Sequence, residues 1–236
     1  MGSLVGSFGT VSRLATGSFP LDPATVGRVS SLDGSFPDYN LPHNHQIEGG
    51  YSDALLLTGW TGGTVPAEST INGVKATIYK MKDTPDHPVA DGVVQLIVGG
   101  ALVGSNKASL TDYSTSVTAT EYGSPSDLWG ASLIAADFSS TFGILVSVLN
   151  PTWEYPVTPS TVHTLGYIDY VTVEVFFTES ASGGSPFHKV YHLDGGSDYC
   201  NNAFGGPPGS CVSHIPQQGA SAYPLTVSDM VTWEKE

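Results

Sequence analysis

Between Tyr167 and Thr178, the residues Val171, Val173, Val175 and Phe177 alternate with Thr172, Glu174 and Phe176. Side chains on a strand point to opposite faces with a period of two, so this run places one apolar face inward and leaves Glu174 in solvent. Val74, Ala76 and Ile78 alternate likewise with Lys75, Thr77 and Lys80. Half-buried antiparallel strands carry this pattern. Further strands are expected at Asp53–Leu57, Thr70–Lys80, Val93–Val98, Ser116–Tyr122 and Phe142–Leu149, each bounded by Gly, Pro, Asn or Asp. Two sheets with one apolar face each must cover one another, so the expected fold is all-β, an antiparallel β-sandwich of jelly-roll-like form. The single helical hint is Asp137-Phe138-Ser139-Ser140, where Asp137 is placed to cap one turn.

Charge narrows the function classes. Eight Lys and Arg face 22 Asp and Glu, a formal net charge of −14. Binding to phosphate backbones depends on clustered cations that release counterions, so nucleic acid is excluded as a partner. Anionic membrane surfaces are disfavoured on the same ground. No apolar run approaches the roughly 18 residues of a spanning helix. The amino terminus lacks a basic stretch followed by an apolar one, and is read as carrying no export signal.

Three regions are expected. Residues 1–45, dense in Gly, Ser, Pro and Asp, read as an extended N-terminal arm. Within it Gly17-Ser18-Phe19-Pro20 returns as Gly34-Ser35-Phe36-Pro37; the favoured reading is a coincidence of loop-rich composition, and the sharper one makes Phe19 and Phe36 assembly anchors seated in apolar pockets of a neighbouring subunit. Residues 46–180 form the β-sandwich domain. Residues 181–236 are a loop-rich C-terminal extension, too poor in strands to hold a core of its own, and expected to pack on the sandwich or on a partner.

The middle region also resembles a known family. Its successive phrases are Ser69-Thr70-Ile71-Asn72-Gly73-Val74-Lys75-Ala76-Thr77-Ile78, Asp91-Gly92-Val93-Val94-Gln95-Leu96-Ile97 and Val103-Gly104-Ser105-Asn106-Lys107-Ala108. Then come Glu121-Tyr122-Gly123-Ser124-Pro125-Ser126-Asp127-Leu128-Trp129-Gly130, Ala136-Asp137-Phe138, Phe142-Gly143-Ile144 and Tyr167-Ile168-Asp169-Tyr170-Val171-Thr172-Val173-Glu174-Val175. In this order they are similar to a β-sandwich domain of tailed-bacteriophage virion proteins. The resemblance spans roughly residues 50 to 179. It implies a non-enzymatic virion structural protein on the exterior of the particle: a capsid decoration, a head fibre or a tail-associated component. It brings no catalytic residue. The expected partners are other virion proteins, major capsid or tail, with a homo-oligomer as the default and a trimer favoured. The alternative is a glycan-binding, receptor-recognition module of a phage tail, in which Trp60, Trp129, Trp153 and Tyr155 stack on sugar rings of a host surface glycan.

Other constellations are weaker. Tyr122-Gly123-Ser124-Pro125 reads as a strand end with Gly123 at positive φ, and Gly130 as the place where a backbone approaches Trp129, whose favoured reading is a core plug of the sandwich and whose lesser one is a sugar-stacking platform. His43 and His45 have the spacing that puts two imidazoles on one side of a strand, which makes them weak metal candidates; exposed polar surface is the favoured reading. His188 and His192 are read as packing or exposed residues. Cys200 and Cys211 flank a Gly/Pro-rich loop able to bring them together, so a disulfide is open, and without a Cys-x-x-Cys motif a zinc site is not expected. Asp83, Asp86 and Asp91 read as a solvated acidic loop, with calcium the lesser alternative. No nucleophile elbow, phosphate loop or dinucleotide fingerprint is present. No cofactor is expected and, as the resemblance implies, no enzymatic activity; a secreted depolymerase or other hydrolase, built on two carboxylates that meet in space, is the third and weakest reading.

Overall fold

The computed structural model describes residues 1–39, 50–85, 87–150 and 164–180. They form two antiparallel sheets packed face to face. In chain order the strands are β1 (Gly2–Gly6), β2 (Phe8–Leu14), β3 (Gly50–Tyr51), β4 (Ala54–Trp60), β5 (Thr70–Lys82), β6 (Ala90–Val98), β7 (Ala101–Val103), β8 (Thr118–Gly123), β9 (Gly143–Asn150) and β10 (Gly166–Thr178). One sheet has the order β1-β10-β5-β8; the other runs β2-β4-β9-β6-β7, with β3 also pairing β9.

The interior is the set of apolar residues that the period of two selects. Val171, Val173, Val175 and Phe177 of β10 meet Val74, Ala76 and Ile78 of β5 on the inner face. Leu57, Val94, Leu96, Ile144 and Val146 face them from the other sheet. Their combined removal from water, at roughly 25 cal/mol per Å² of apolar surface, is what joins the layers. The six strands expected from the sequence all form, with ends displaced by a few residues. The helical hint becomes a three-residue 3-10 turn, Ala135–Asp137, in which the Asp137 carboxylate accepts from the Ile134 N–H at 2.9 Å.

The N-terminal segment corrects an expectation. Residues 1–39 are not an extended arm but part of the sandwich: β1 pairs with β10 along Gly2–Gly6, and β2 pairs with β4 along Phe8–Leu14. Phe19 is fully buried in its own chain, where its backbone bridges Ser52. Phe36 lies half-buried against Tyr167, ring centroids 5.3 Å apart. Phe19 is thus used in its own core, and Phe36 packs on a ring of its own chain. The Gly, Ser and Pro content disguised the strands, because an edge strand needs only one apolar side chain in two and tolerates small residues.

Asp53 pins this segment down. It is buried and accepts from the Gly17 N–H at 3.1 Å, the Leu21 N–H at 3.1 Å and the Arg13 guanidinium at 3.1 Å. A hydrogen bond to a charged group is worth about 1.5–3 kcal/mol. Arg13→Leu is therefore expected to lower the unfolding free energy by about that amount in urea denaturation, whereas a free arm would leave the midpoint unchanged.

Candidate functional site

Three arrangements on this frame carry polar chemistry. The first is enclosed between the sheets. On β5 the inward set Val74, Ala76, Ile78 continues into Lys80 and Lys82, since parity is kept to the end of the strand. Lys80 thus points into the core, correcting its assignment to the solvent face. Its ammonium lies 2.6 Å from Asp91 Oδ1, and the two side chains are 5% and 2% exposed. Two tyrosines close the cage: Tyr113 donates to Asp91 Oδ1 at 2.6 Å and Tyr122 to Asp91 Oδ2 at 2.6 Å. The Ser109 N–H adds a bond to Oδ2 at 2.9 Å. Lys80 Nζ also contacts the Tyr122 hydroxyl and lies 4.2 Å from the centroid of the Tyr113 ring.

Burial pulls the Lys80 ammonium below its usual pKa, against the opposing charge and hydrogen bond of Asp91. Burial first, and then the neighbouring Asp91 charge, pushes both tyrosines up, so they remain hydroxyl donors. Asp91 is consequently not a member of a solvated acidic loop, nor a calcium ligand. Asp86 lies outside the described residues, and among these no cluster of three metal-ligating side chains occurs.

The second arrangement surrounds Trp129. Its ring is 0% exposed, its indole N–H donates to the Val74 carbonyl at 2.8 Å, and its backbone is left-handed at φ 59°. The Asp127 carboxylate accepts from the Trp129 N–H at 2.7 Å and pairs with Lys107 at 2.7 Å, while Lys107 Nζ sits 5.5 Å from the centre of the indole. Asn106 Oδ1 accepts from the N–H groups of Val94 and Ala108. Gly104-Ser105-Asn106-Lys107-Ala108 and Asp127-Leu128-Trp129-Gly130, far apart in sequence, are thus one unit. Close approach occurs at Gly104 and Gly123 rather than Gly130: a Cβ on Gly104 would lie 2.4 Å from the Trp129 carbonyl, and one on Gly123 2.6 Å from its indole nitrogen. Gly123 does have positive φ, 79°.

The hydrogen bond from Lys107, ahead of the Trp129 N–H, holds the Asp127 carboxyl below the usual carboxylate range, with partial burial opposing. A depressed folded pKa stabilises fully above the unfolded value, about 3.9, and that contribution is lost as pH falls through the folded value. Acid titration of unfolding is expected to be shallower for Asp127→Asn than for the natural chain below about pH 4.

The third arrangement is the outer face of the four-stranded sheet. There the alternate residues of β5 and β10 meet in register: Tyr79 with Tyr170, Thr77 with Thr172 and Lys75 with Glu174. On β8, Glu121 lies beside Thr77. The tyrosine rings are 6.1 Å apart between centroids and tilted by 35°, both half-buried. Lys75 Nζ bridges the flanking strands, 3.1 Å from Glu121 Oε1 and 3.3 Å from Glu174 Oε2. The Glu121 hydrogen bond raises the Lys75 pKa most, partial burial opposes it and Glu174 adds to the rise, so the cation persists. This face presents a pair of aromatic rings, a pair of hydroxyls and a fixed charge triplet in adjoining rows.

Trp129 takes the core position favoured for it from sequence, and the sugar-stacking alternative is not supported for it or for Trp60. Trp129 is enclosed and Trp60 is 7% exposed, its ring edge-on to Phe138 and Phe142. Neither indole can meet a ligand, because an accessible ring face is what stacking requires; both serve the core. Trp153, Tyr155, His43, His45, His188, His192, Cys200 and Cys211 lie outside the described residues. Sequence reasoning missed Lys80, Asp91, Tyr113 and Tyr122 as a group, and Tyr79 with Tyr170. Parity alone was the signal for Lys80 and for the two outward tyrosines. A narrow pocket lined by Leu21, Tyr39, Leu55, Val148, Tyr167 and Ile168, among others, contains no carboxylate or histidine.

No protein-family model matches this chain, and no curated protein matches it. Among solved structures it is similar to a family 35 carbohydrate binding module from Clostridium thermocellum, with 11% identity over 73% of this chain and 98% of that one, at a TM-score of 0.30. It is also similar to a β-(1,4)-mannanase from Podospora anserina that carries such a module, with 9% identity over 76% of this chain and 28% of that one, at a TM-score of 0.29.

Proposed function

We propose that this chain is a non-catalytic β-sandwich module that binds carbohydrate on the outer face of its four-stranded sheet. The observation that carries this reading is the Tyr79–Tyr170 pair in register with Thr77, Thr172 and the Glu121–Lys75–Glu174 triplet. Tyrosine offers an apolar ring with a polar tip, suited to the C–H face of a pyranose whose hydroxyls are hydrogen-bonded at the edge. Two carboxylates and two threonine hydroxyls in the next rows supply acceptors and donors for those hydroxyls. Because Lys75 already ties down both carboxylates, little side-chain entropy remains to be lost on binding. A glycan array probed with the full chain tests this. Tyr79→Ala and Tyr170→Ala are each expected to weaken the retained sugars by about tenfold or more, the loss of roughly 1.4 kcal/mol, with the circular dichroism spectrum unchanged. Unchanged binding in both variants contradicts the reading.

A second reading concerns where such a module resides. The phrases that resemble tailed-phage virion domains include those that build the Trp129 unit, and this favours an exterior component of a phage particle, with capsid or tail proteins as partners. The two readings are compatible, since a displayed module meets cell-surface glycans. A net charge of −14 suits display away from packaged DNA. A trimer remains the proposed assembly, without the amino-terminal segment as its linker. Light scattering on the full chain is expected to give three times the chain mass, and a monomer contradicts that assembly.

A further inference from the structure

Lys80 and Asp91 belong to opposite sheets, on β5 and β6, and their side chains meet in the space between the layers. We propose that Lys80 Nζ and Asp91 Cγ become joined by an intramolecular amide bond once the chain has folded, cross-linking one sheet to the other. The pair is unlike the other ion pairs described. Lys82 meets Asp112, whose carboxylate is half exposed, and the remaining pairs also have at least one partner open to water. Around Lys80 and Asp91 water is excluded, the two groups are held in contact, and proton donors address both carboxylate oxygens.

Proximity of this kind converts a slow bimolecular condensation into an intramolecular one. Lys80 Nζ lies 2.6 Å from Asp91 Oδ1, so passage of one proton along that contact gives a free amine beside a neutral carboxyl group, the uncharged pair that exclusion of water favours. The amine lone pair attacks Cγ and the C–N bond forms. Oδ2 takes up the negative charge of the tetrahedral intermediate, held by the Tyr122 hydroxyl at 2.6 Å and the Ser109 N–H at 2.9 Å. The Cγ–Oδ1 bond then breaks. Tyr113, 2.6 Å from Oδ1, donates a proton to the departing oxygen and recovers one from the nitrogen. From the ammonium and carboxylate, two N–H protons leave with Oδ1 as one water and one N–H remains on the amide. No oxidant, reductant or co-reactant is required.

The test is the intact mass of the purified, denatured full chain. The expected mass is lower than that of the sequence by one water, with tandem fragmentation placing a branch between Lys80 and Asp91. A chain at its full sequence mass overturns the proposal. Asp91 precedes Gly92, and cyclisation of that dipeptide to a succinimide also releases one water. Lys80→Arg separates the two: the amide requires the lysine amine, so this variant is expected at full mass. A water loss that persists in Lys80→Arg, or that hydroxylamine removes from the natural chain, overturns the cross-link. Fragmentation of the natural chain decides the matter even if the variant does not fold. A Cys200–Cys211 disulfide changes the mass by two hydrogens and is not confused with either.

Discussion

Trp129→Ala is expected to cost about 3–5 kcal/mol, a range typical of truncating a buried aromatic side chain to alanine. The ring is wholly enclosed, so its removal leaves a cavity that the surrounding β5 and β8 backbone cannot fill by side-chain rearrangement. Two further losses add to this. The Val74 carbonyl loses the indole donor 2.8 Å away, and Lys107 loses the ring over which its ammonium lies. A left-handed backbone at φ 59° is retained at no benefit. Urea denaturation should show a lowered midpoint with little change in slope. Trp129→Phe, which keeps most of the ring but not the donor, is expected to lose less. An equal loss in both variants would assign the effect to the hydrogen bond rather than to the packing.

Asp91→Ala is the second large effect. Against the chain in which Lys80 and Asp91 are still an ion pair, it strands the Lys80 nitrogen among aromatic rings without a carboxylate, and breaking a buried pair by removing one partner costs about 3–5 kcal/mol; against the joined chain the loss of the cross-link adds to this. Replacing both residues by apolar ones, Lys80→Met with Asp91→Leu, should recover most of the ion-pair part of that loss, because neither charge then has to be desolvated, but not the part due to the cross-link. The single variant also carries a pH signature. With the carboxylate gone, burial acts on Lys80 unopposed and its folded pKa falls further below the unfolded value. Between those two values the unfolded chain binds more protons, so stability rises with pH. The deficit of Asp91→Ala is therefore expected to shrink toward about pH 10. A deficit independent of pH would mean that the lysine escapes to solvent.

The two sheets were legible because the inner faces of β5 and β10 alternate cleanly, and Val, Ile and Phe on that face have nowhere else to go. The β1 and β2 strands were not. Gly2, Gly6 and Gly9 weaken any strand reading, and their place is secured by long-range partners: β10 for one, β4 and the Asp53 carboxylate for the other. Parity placed Lys80 inward, yet a lysine reads as a surface residue until a carboxylate from another strand is known to meet it. The Asp91 partner sits eleven positions away on the opposite sheet, a juxtaposition that local pattern does not encode. The tyrosine platform was overlooked for a related reason. Tryptophans attract attention as stacking rings, but their size also makes them the preferred plugs of a sandwich, and Trp60 and Trp129 are used that way.

The carbohydrate platform is tested most directly by a nuclear magnetic resonance titration of the labelled full chain with the oligosaccharide best retained on the array. The expected result is amide shifts that saturate and centre on Thr77, Tyr79, Tyr170 and Thr172, the rows that adjoin on the four-stranded sheet. Saturating shifts confined to the six-stranded sheet, or to residues 181–236, would place the ligand elsewhere and contradict it. The absence of any bound oligosaccharide at millimolar concentration would contradict it altogether.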